Sequence, residues 1–240
     1  MTSRTMAEID RIALEETGPN LYQMMENAGR TLASFVLGKM SRSKEWGRVL
    51  VLAGPGGNGG GGICAARHLA NHGVRVSVAL VGEETQKPIV REQLNIFRRA
   101  KGTVVQTGDW EPERFDILID ALLGYSLKGE PAPQFERVIR RAKEGTTPVL
   151  ALDIPSGVDA TTGEAPGPFL PAQWTLTLAL PKTGLSTRSA GRIFLADIGI
   201  PYDAYRRAGV TALPQFGARY WIPLICRASL PEADLPNAQK

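Results

Sequence analysis

The strand RVLVLA (48–53) runs directly into the loop GPGGNGGGG (54–62), and a helical pattern begins at residue 60. This stretch decides the fold class, because a strand that passes through a glycine-rich loop into a helix presents free backbone N–H groups to a phosphate. Seven of the nine loop residues are glycine, and no other residue type lets a ligand approach the backbone so closely. A flexible surface turn is the plainer alternative, but the position between an apolar strand and a helix favours a ligand-binding loop.

Outward from this unit, short apolar runs alternate with helical patterns. The further candidate strands are RVSVALV (75–81), TVVQT (103–107), FDILIDAL (115–122), PVLALDI (148–154), WTLTLAL (174–180) and RIFLAD (192–197). Apolar residues at three- and four-residue spacing predict helices over 5–17, 20–41, 60–72, 88–100 and 133–144. This alternation predicts an α/β fold with a doubly wound, mostly parallel, Rossmann-like sheet, helices on both faces and two N-terminal helices. Ligands bind such sheets beyond the carboxyl ends of the strands.

Length and composition indicate one domain with a tail. The chain has 240 residues, and its hydrophobic content of 43% is enough for a full core. The periodicity fades after about residue 211, so we expect a domain over residues 1–211 and a linker-like or disordered tail over 212–240.

Charge and hydropathy exclude several classes of function. The formal net charge is +4 with both signs interspersed, which argues against a nucleic-acid partner. No apolar run reaches the roughly 18 residues of a membrane span, and the first residues lack the apolar segment of a signal peptide. Cys64 and Cys226 form neither a disulfide framework nor a metal cluster. We therefore expect a cytoplasmic protein without a membrane partner.

Two aspartates stand at the ends of apolar strands. Asp120 begins DALLGYSLKG (120–129), and Asp153 begins DIPSGVD (153–159). Carboxylates rarely lie so deep in apolar runs without a charged partner or a ligand. Each could instead cap the backbone N–H groups of the loop that follows it, so both interpretations stay open at this point.

The glycine loop also satisfies a weak dinucleotide fingerprint. Gly54, Gly56 and Gly59 have the G-x-G-x-x-G spacing, and the acidic residue Glu83 follows the second strand. This match would suit a nicotinamide-dependent oxidoreductase, but two helices precede the first strand here. The Gly-Lys-Ser/Thr of an NTPase phosphate loop is absent.

Six motifs together resemble a known family. They are MMENAGR (24–30), GPGGNGGGG (54–62), DALLGYSLKG (120–129), ALDIPSGVDATTGE (151–164), LALPKTGL (178–185) and ADIGIP (196–201). Their order and spacing over residues 1 to about 205 resemble the NAD(P)H-hydrate epimerase family, also called the YjeF N-terminal domain family. The resemblance implies a metabolite-repair isomerase that interconverts the R and S forms of hydrated NADH and NADPH without a redox cofactor.

The resemblance also implies which residues form the site. One potassium ion per subunit would be held by Asn58, Asp120 and Ser156, and the catalytic pair would be Lys128 and Asp153. The residues expected to contact the hydrated nucleotide are Gly57, Asn58, Gly59, Gly60, Gly61, Gly124, Tyr125, Ser126, Leu127, Lys128, Gly129, Glu130 and Asp153. The apolar N-terminal helices suit a homodimer, and the tail resembles a linker that precedes a dehydratase domain, so a separate dehydratase is a further expected partner.

The chemistry of the implied reaction suits these residue types. The hydroxyl at C6 of the nicotinamide ring can leave with the lone pair of the ring nitrogen, and water can then return to either face of the iminium ion. An acid that protonates the leaving hydroxyl and a base that activates water suffice, and Lys128 and Asp153 are able to exchange these roles. A potassium ion prefers the hard oxygen ligands that an amide, a carboxylate and a hydroxyl supply.

One position departs from the family pattern. The family loop reads N-G-G-D-G, and Gly61 stands where the aspartate is expected. Loss of a carboxylate that could bind a ribose hydroxyl predicts weaker substrate binding, and it favours the alternative of a non-catalytic nucleotide-binding or scaffold protein. Lys128, Asp153 and the proposed potassium ligands are all retained, which favours the enzyme.

Four other residues are not assigned to the site. His68 and His72 lie four residues apart, but a third zinc ligand is not evident and the glutamate of a metalloprotease is absent. We interpret Cys64 as an ordinary small buried residue. Lys182 of LALPKTGL is either structural or ligand-facing, and the sequence does not decide between the two.

Overall fold

The computed structural model describes residues 1–40, 47–82 and 86–225. Their strands form a single sheet of eight strands. The described strands follow the spatial order β3-β2-β1-β4-β5-β6-β7-β8. Their bounds are β1 Arg48–Ala53, β2 Arg75–Leu80, β3 Thr103–Val105, β4 Ile117–Ala121, β5 Val149–Leu152, β6 Trp174–Leu178, β7 Arg192–Ala196 and β8 Trp221–Pro223. The pairings from β3 to β7 are all parallel, and β8 alone pairs antiparallel with β7.

Helices cover both faces of the sheet. Their bounds are α1 Ser3–Ile12, α2 Leu21–Met40, α3 Gly57–Asn71, α4 Pro88–Arg99, α5 Pro133–Glu144, α6 Thr187–Ala190 and α7 Tyr202–Arg207. A π-helical turn at Ala13–Thr17 continues α1, and a 3-10 turn at Pro112–Arg114 precedes β4. The predicted α/β class, with two N-terminal helices, is therefore confirmed. Within the described residues, no helix combines the length and apolar character needed to cross a membrane.

The central strand β1 places apolar side chains on both faces of the sheet. Residues 49–53 of β1 are fully buried, as expected of a central parallel strand covered on both sides. Val49 and Val51 pack with α2, α3 and α4, whereas Leu50 and Leu52 pack with α5 on the opposite face. Alternating side chains of one strand thus contribute to two separate cores.

The glycine-rich stretch is mostly helical, so the predicted nine-residue loop was wrong in its extent. Only Gly54–Gly56 lie outside regular structure, because α3 begins at Gly57. A Cβ atom at Gly62 would lie 2.5 Å from the Cβ of Ala121, and one at Gly59 would lie 1.8 Å from the carbonyl oxygen of Gly54. These glycines therefore let the first turns of α3 pack directly against the sheet and the preceding turn.

The last strand was not predicted. Trp221–Pro223 forms β8, within the segment 212–240 that we expected to be linker-like, so that expectation was wrong for these residues. The physical reason is an aromatic cluster, since the ring of Trp221 lies 5.1 Å from that of Phe35 and 5.5 Å from that of Phe194. The remainder of the tail from residue 226, including Cys226, and also Glu83, lie outside the described residues.

Candidate active site

The sheet order brings the predicted site residues together. Strands β1, β4, β5 and β6 are consecutive neighbours and parallel, so their carboxyl ends lie along one edge of the sheet. The residues at or just beyond these ends are the glycine turn, Asp120, Asp153 and the LALPKTGL segment. This edge is where ligands bind in open α/β sheets.

Asp120, Ser156 and Asn58 are connected through one hydrogen-bond network. Both Asp120 and Ser156 are fully buried. The backbone N–H of Ser156 donates to Oδ2 of Asp120 at 2.7 Å, and its hydroxyl donates to Oδ1 at 2.5 Å. The Ser156 hydroxyl oxygen accepts from the backbone N–H of Leu123 at 3.0 Å, and the Asn58 amide donates to the Leu123 carbonyl at 3.0 Å. These three predicted ligands thus converge on the start of one loop.

This network suits a monovalent cation. Burial raises the pKa of Asp120 to about 6, although hydrogen bonds from Ser156 and Leu122 lower it. Within the described part of the chain, Asp120 forms no ion pair with a basic side chain. A buried carboxylate without a cationic partner is costly, and the oxygen donors around it are the type that a hard cation prefers.

Asp153 has a partner that the sequence did not identify. Its side chain is buried, and its Oδ1 atom accepts a hydrogen bond from the ammonium group of Lys182, which is also buried. The same oxygen accepts from the backbone N–H of Leu178 at 3.1 Å. Only LALPKTGL, directly after a strand, could have drawn attention to Lys182, and that signal did not specify its partner.

Lys128 does not lie against Asp153. It is exposed, and among the described residues no ion pair or hydrogen bond joins the two side chains. Backbone N–H groups of Thr162 and Thr161 lower the pKa of Asp159, and the positive charge of Lys128 lowers it further. The Lys128–Asp153 pair therefore stays a prediction. Lys128 lies in the exposed loop that follows β4, at the same edge of the sheet as Asp153.

The rest of that loop is partly exposed as well. Gly124, Tyr125 and Leu127 are half-buried, whereas Ser126, Gly129 and Glu130 are exposed. The Tyr125 hydroxyl donates to Oδ2 of Asp10 on α1 at 2.5 Å. Burial raises the pKa of Asp10 and that of Tyr125. No sequence pattern pointed to Asp10, because the spacing of apolar residues in α1 indicates only an amphipathic helix.

The glycine positions differ in how much room they have. A Cβ atom at Gly57 would meet nothing within 4 Å, while one at Gly60 would lie 2.6 Å from the methyl group of Met25. Gly61 is helical and buried, and its added Cβ would lie 3.1 Å from Cδ2 of Leu152. The helix N-terminus at Gly57 is therefore open to a ligand, whereas the following glycines mainly serve packing.

A second polar cluster lies between α2 and α3. One ligand atom each from Glu26, Cys64 and His68 lies within 4.8 Å of the others. The Arg67 guanidinium contacts the Cys64 sulfur and the His68 ring, both at 3.3 Å, and Glu26 at 2.5 Å. Its positive charge among them disfavours a metal ion. Burial raises the pKa of the Cys64 thiol to about 12. The Cys64 side chain is fully buried, so our interpretation of Cys64 as a small buried residue is confirmed.

Comparison with known proteins connects this geometry to a family. The family described as "YjeF-related protein N-terminus" matches residues 21–184. The crystal structure of yeast ynu0 superposes with a TM-score of 0.82 at 24% identity, covering 93% of this chain and 98% of the yeast chain. At that identity the yeast structure supports the fold alone.

Relatives with higher identity carry functional names. A protein of Dehalogenimonas lykanthroporepellens called NAD(P)H-hydrate epimerase is 50% identical over 210 residues, which are 88% of this chain and 86% of the relative. A Paramecium tetraurelia protein of the same name is 38% identical, with 78% of each chain covered. A Hyperthermus butylicus protein called bifunctional NAD(P)H-hydrate repair enzyme is 39% identical, with 85% of this chain but 39% of the relative covered. The chain therefore belongs to the family of YjeF-related N-terminal domains.

Proposed function

We propose that the protein is an NAD(P)H-hydrate epimerase, an isomerase that interconverts the R and S forms of hydrated NADH and NADPH. The observation that carries this proposal is the buried Asp153 carboxylate, which lies beyond the same sheet edge as Asp120, Ser156 and the open start of α3. Relatives that match most of this chain carry the epimerase name. Only the spacing of Gly54, Gly56 and Gly59 favours an oxidoreductase. Only the glycine at position 61, where the family has an aspartate, favours a scaffold protein.

The proposed reaction needs no redox cofactor, because the hydroxyl leaves and returns without a change of oxidation state. The C6–O bond breaks as the ring-nitrogen lone pair forms a C=N bond, and an acid donates a proton so that water departs. Water then adds to the opposite face, and a base accepts its proton. We assign the base to Asp153 and the acid to Lys128, whose loop leaves its side chain exposed to an arriving substrate.

We further propose one potassium ion per subunit, held by Asn58, Asp120 and Ser156. The convergence of these oxygen-bearing side chains supports the site, as does the absence of a basic partner for Asp120 among the described residues. A bound ion would supply the positive charge that the buried Asp120 carboxylate lacks.

Potassium is expected to stabilise the protein, since an ion that binds only the folded state shifts the unfolding equilibrium. At about 100 times the dissociation constant, the gain is about 2.7 kcal/mol, which for a chain of this size raises the melting midpoint by roughly 5–10 °C. The measurement is a thermal melt in potassium chloride against tetramethylammonium chloride at equal ionic strength. The control is Asn58→Ala with Asp120→Ala, in which the difference should vanish; a difference that persists there would contradict the site.

The cellular setting and partners form a separate proposal. We propose a cytoplasmic homodimer that acts on hydrated NADH and NADPH, with an NAD(P)H-hydrate dehydratase as its partner activity. The relative named as a bifunctional repair enzyme supports a second repair activity beside this one, because the matched segment makes up only 39% of its length. Apolar side chains exposed at the start of α2, Leu21 and Tyr22, are available for a subunit contact.

The direct test of the proposed function is the rate at which one purified epimer equilibrates with the other. Hydrated NADH and hydrated NADPH are each separated into epimers by chromatography and incubated with and without the protein. We expect the protein to accelerate equilibration of at least one of them by several orders of magnitude. Equal rates with and without protein for both nucleotides would reject the epimerase and favour the scaffold alternative.

A further inference from the structure

The two oxygens of Asp153 have different surroundings. Oδ1 accepts from the Lys182 ammonium group, from the Leu178 N–H at 3.1 Å and from the Thr177 hydroxyl at 3.4 Å. Oδ2 accepts no hydrogen bond from any residue that the structure describes. The Asp153 side chain is 5% exposed and that of Lys182 is 1% exposed. One oxygen is thus fully engaged by the protein, and the other has no protein partner among the described residues.

Lys182 is itself held in place. Its ammonium group donates to the Leu178 carbonyl at 2.7 Å as well as to Asp153, so both partners are anchored to the end of β6. The LALPKTGL segment turns back at Ala179, where the backbone N–H of Leu180 donates to the Leu178 carbonyl at 2.7 Å. This turn brings the ammonium group of Lys182 within hydrogen-bonding distance of the Asp153 carboxylate.

Backbone strain is concentrated at the two ends of this arrangement. Asp153 has a φ of 71° directly after β5, and Ala179 has a φ of 62° directly after β6. Residues with side chains rarely adopt this left-handed conformation, and they keep it only where the surroundings enforce it, most often at functional sites. The same two strained residues fix the direction of the Asp153 carboxylate and the course of the chain to Lys182.

We infer that Lys182 is a positioning residue for the reaction: it holds Asp153 through Oδ1 and leaves Oδ2 directed to the substrate. This inference rests on the proposed epimerase function. A buried ion pair is by itself a poor source of stability, because desolvation of both charges offsets their attraction. The Lys182–Asp153 pair lies in a strained setting and leaves one carboxylate oxygen without a protein donor among the described residues. This arrangement suits a base that is held ready for proton transfer better than it suits a purely stabilising ion pair. The nearby titratable groups of the described chain are Asp10, Tyr125 and the N-terminal amino group.

The test is Lys182→Met, which keeps the length of the stem and removes the charge. We expect kcat for epimer exchange to fall by about 100-fold while KM changes by less than about 3-fold, since Lys182 acts through Asp153 and does not contact the substrate. Lys182→Arg keeps a positive charge and should recover at least part of the lost kcat. Thermal melts of each variant show whether it is folded.

A milder variant keeps the inference testable if Lys182→Met does not fold. Thr177→Val retains the ion pair and removes only the hydroxyl at 3.4 Å from Oδ1; we expect it to fold and to lose kcat by a few-fold without a change in KM. A folded Lys182→Met protein with the parent kcat would overturn the inference, and so would a loss confined to KM. If Lys182→Met is unfolded, parent kcat in Thr177→Val would overturn it.

Failure of the inference differs from failure of the proposed function. If the parent protein does not accelerate epimer exchange at all, the epimerase proposal fails, and Lys182 has no base to position. If the parent is active and the Lys182 variants are equally active, the epimerase proposal stands and only the role of Lys182 is rejected.

Discussion

Asp153→Asn is expected to lower the rate of epimer exchange by about 100-fold or more, because an amide cannot accept the proton of the incoming water. The effect should fall on kcat, since the carboxylate acts in the proton-transfer step. The measurement is the rate of equilibration of a purified hydrate epimer at saturating substrate. An unchanged rate in a folded variant would remove Asp153 from the mechanism.

Asp153→Asn is also expected to destabilise the protein, although asparagine has the same shape as aspartate. It leaves the Lys182 ammonium buried without its partner, and loss of one member of a buried ion pair costs about 3–5 kcal/mol. The matched control is the double variant Asp153→Asn with Lys182→Met, which removes both charges. Urea unfolding should show recovery of most of the lost stability in the double variant, while its activity stays as low as that of Asp153→Asn.

Recovery of activity together with stability in the double variant would show that the loss in Asp153→Asn arose from misfolding. That result would contradict the catalytic role of Asp153. A double variant that is stable and inactive separates the two roles of the carboxylate, one in the buried ion pair and one in the reaction.

Gly61→Asp is expected to lower KM by about 10–100-fold with little change in kcat. A charge-assisted hydrogen bond to a substrate hydroxyl contributes roughly 1.5–3 kcal/mol, and a bond made equally in ground and transition states affects KM alone. The backbone permits the change, because Gly61 lies within α3 and is not among the glycines with positive φ. The one close contact of a new Cβ atom is the flexible end of Leu152, at 3.1 Å.

The control for this variant is Gly61→Ala, which adds the same Cβ atom without the carboxylate. We expect KM in Gly61→Ala to stay within about 3-fold of the parent, because only packing against Leu152 changes. Equal effects of alanine and aspartate would mean that the added bulk is responsible. A folded Gly61→Asp protein that binds no better, beside a parent without epimer exchange, would instead support the scaffold alternative.

The sequence predicted the regular elements well because their signals are local. The strand at residues 48–53 and the helix at 133–144 have the bounds that their apolar periodicity predicts. It failed for residues 57–59, where α3 begins three residues before the predicted start. Glycine has a low helix propensity in isolation, and only close packing against the sheet and the preceding turn makes it the fitting residue here. It failed for β8 because three residues are too few to show a period, and aromatic contacts with Phe35 and Phe194 hold that strand in place.

For the site, the sequence by itself determined that Asp120 and Asp153 are buried carboxylates, because each stands at the carboxyl end of an apolar strand of the kind that is covered on both faces. It did not determine their partners. Asp120 accepts a hydrogen bond from Ser156, and Asp153 forms an ion pair with Lys182, which lies 29 residues further along the chain. Those contacts depend on the order of neighbouring strands and on the left-handed turns at Asp153 and Ala179. Local patterns predict which side chains are buried, but only the tertiary structure decides which charges meet, because a buried charge is satisfied through space and not along the sequence.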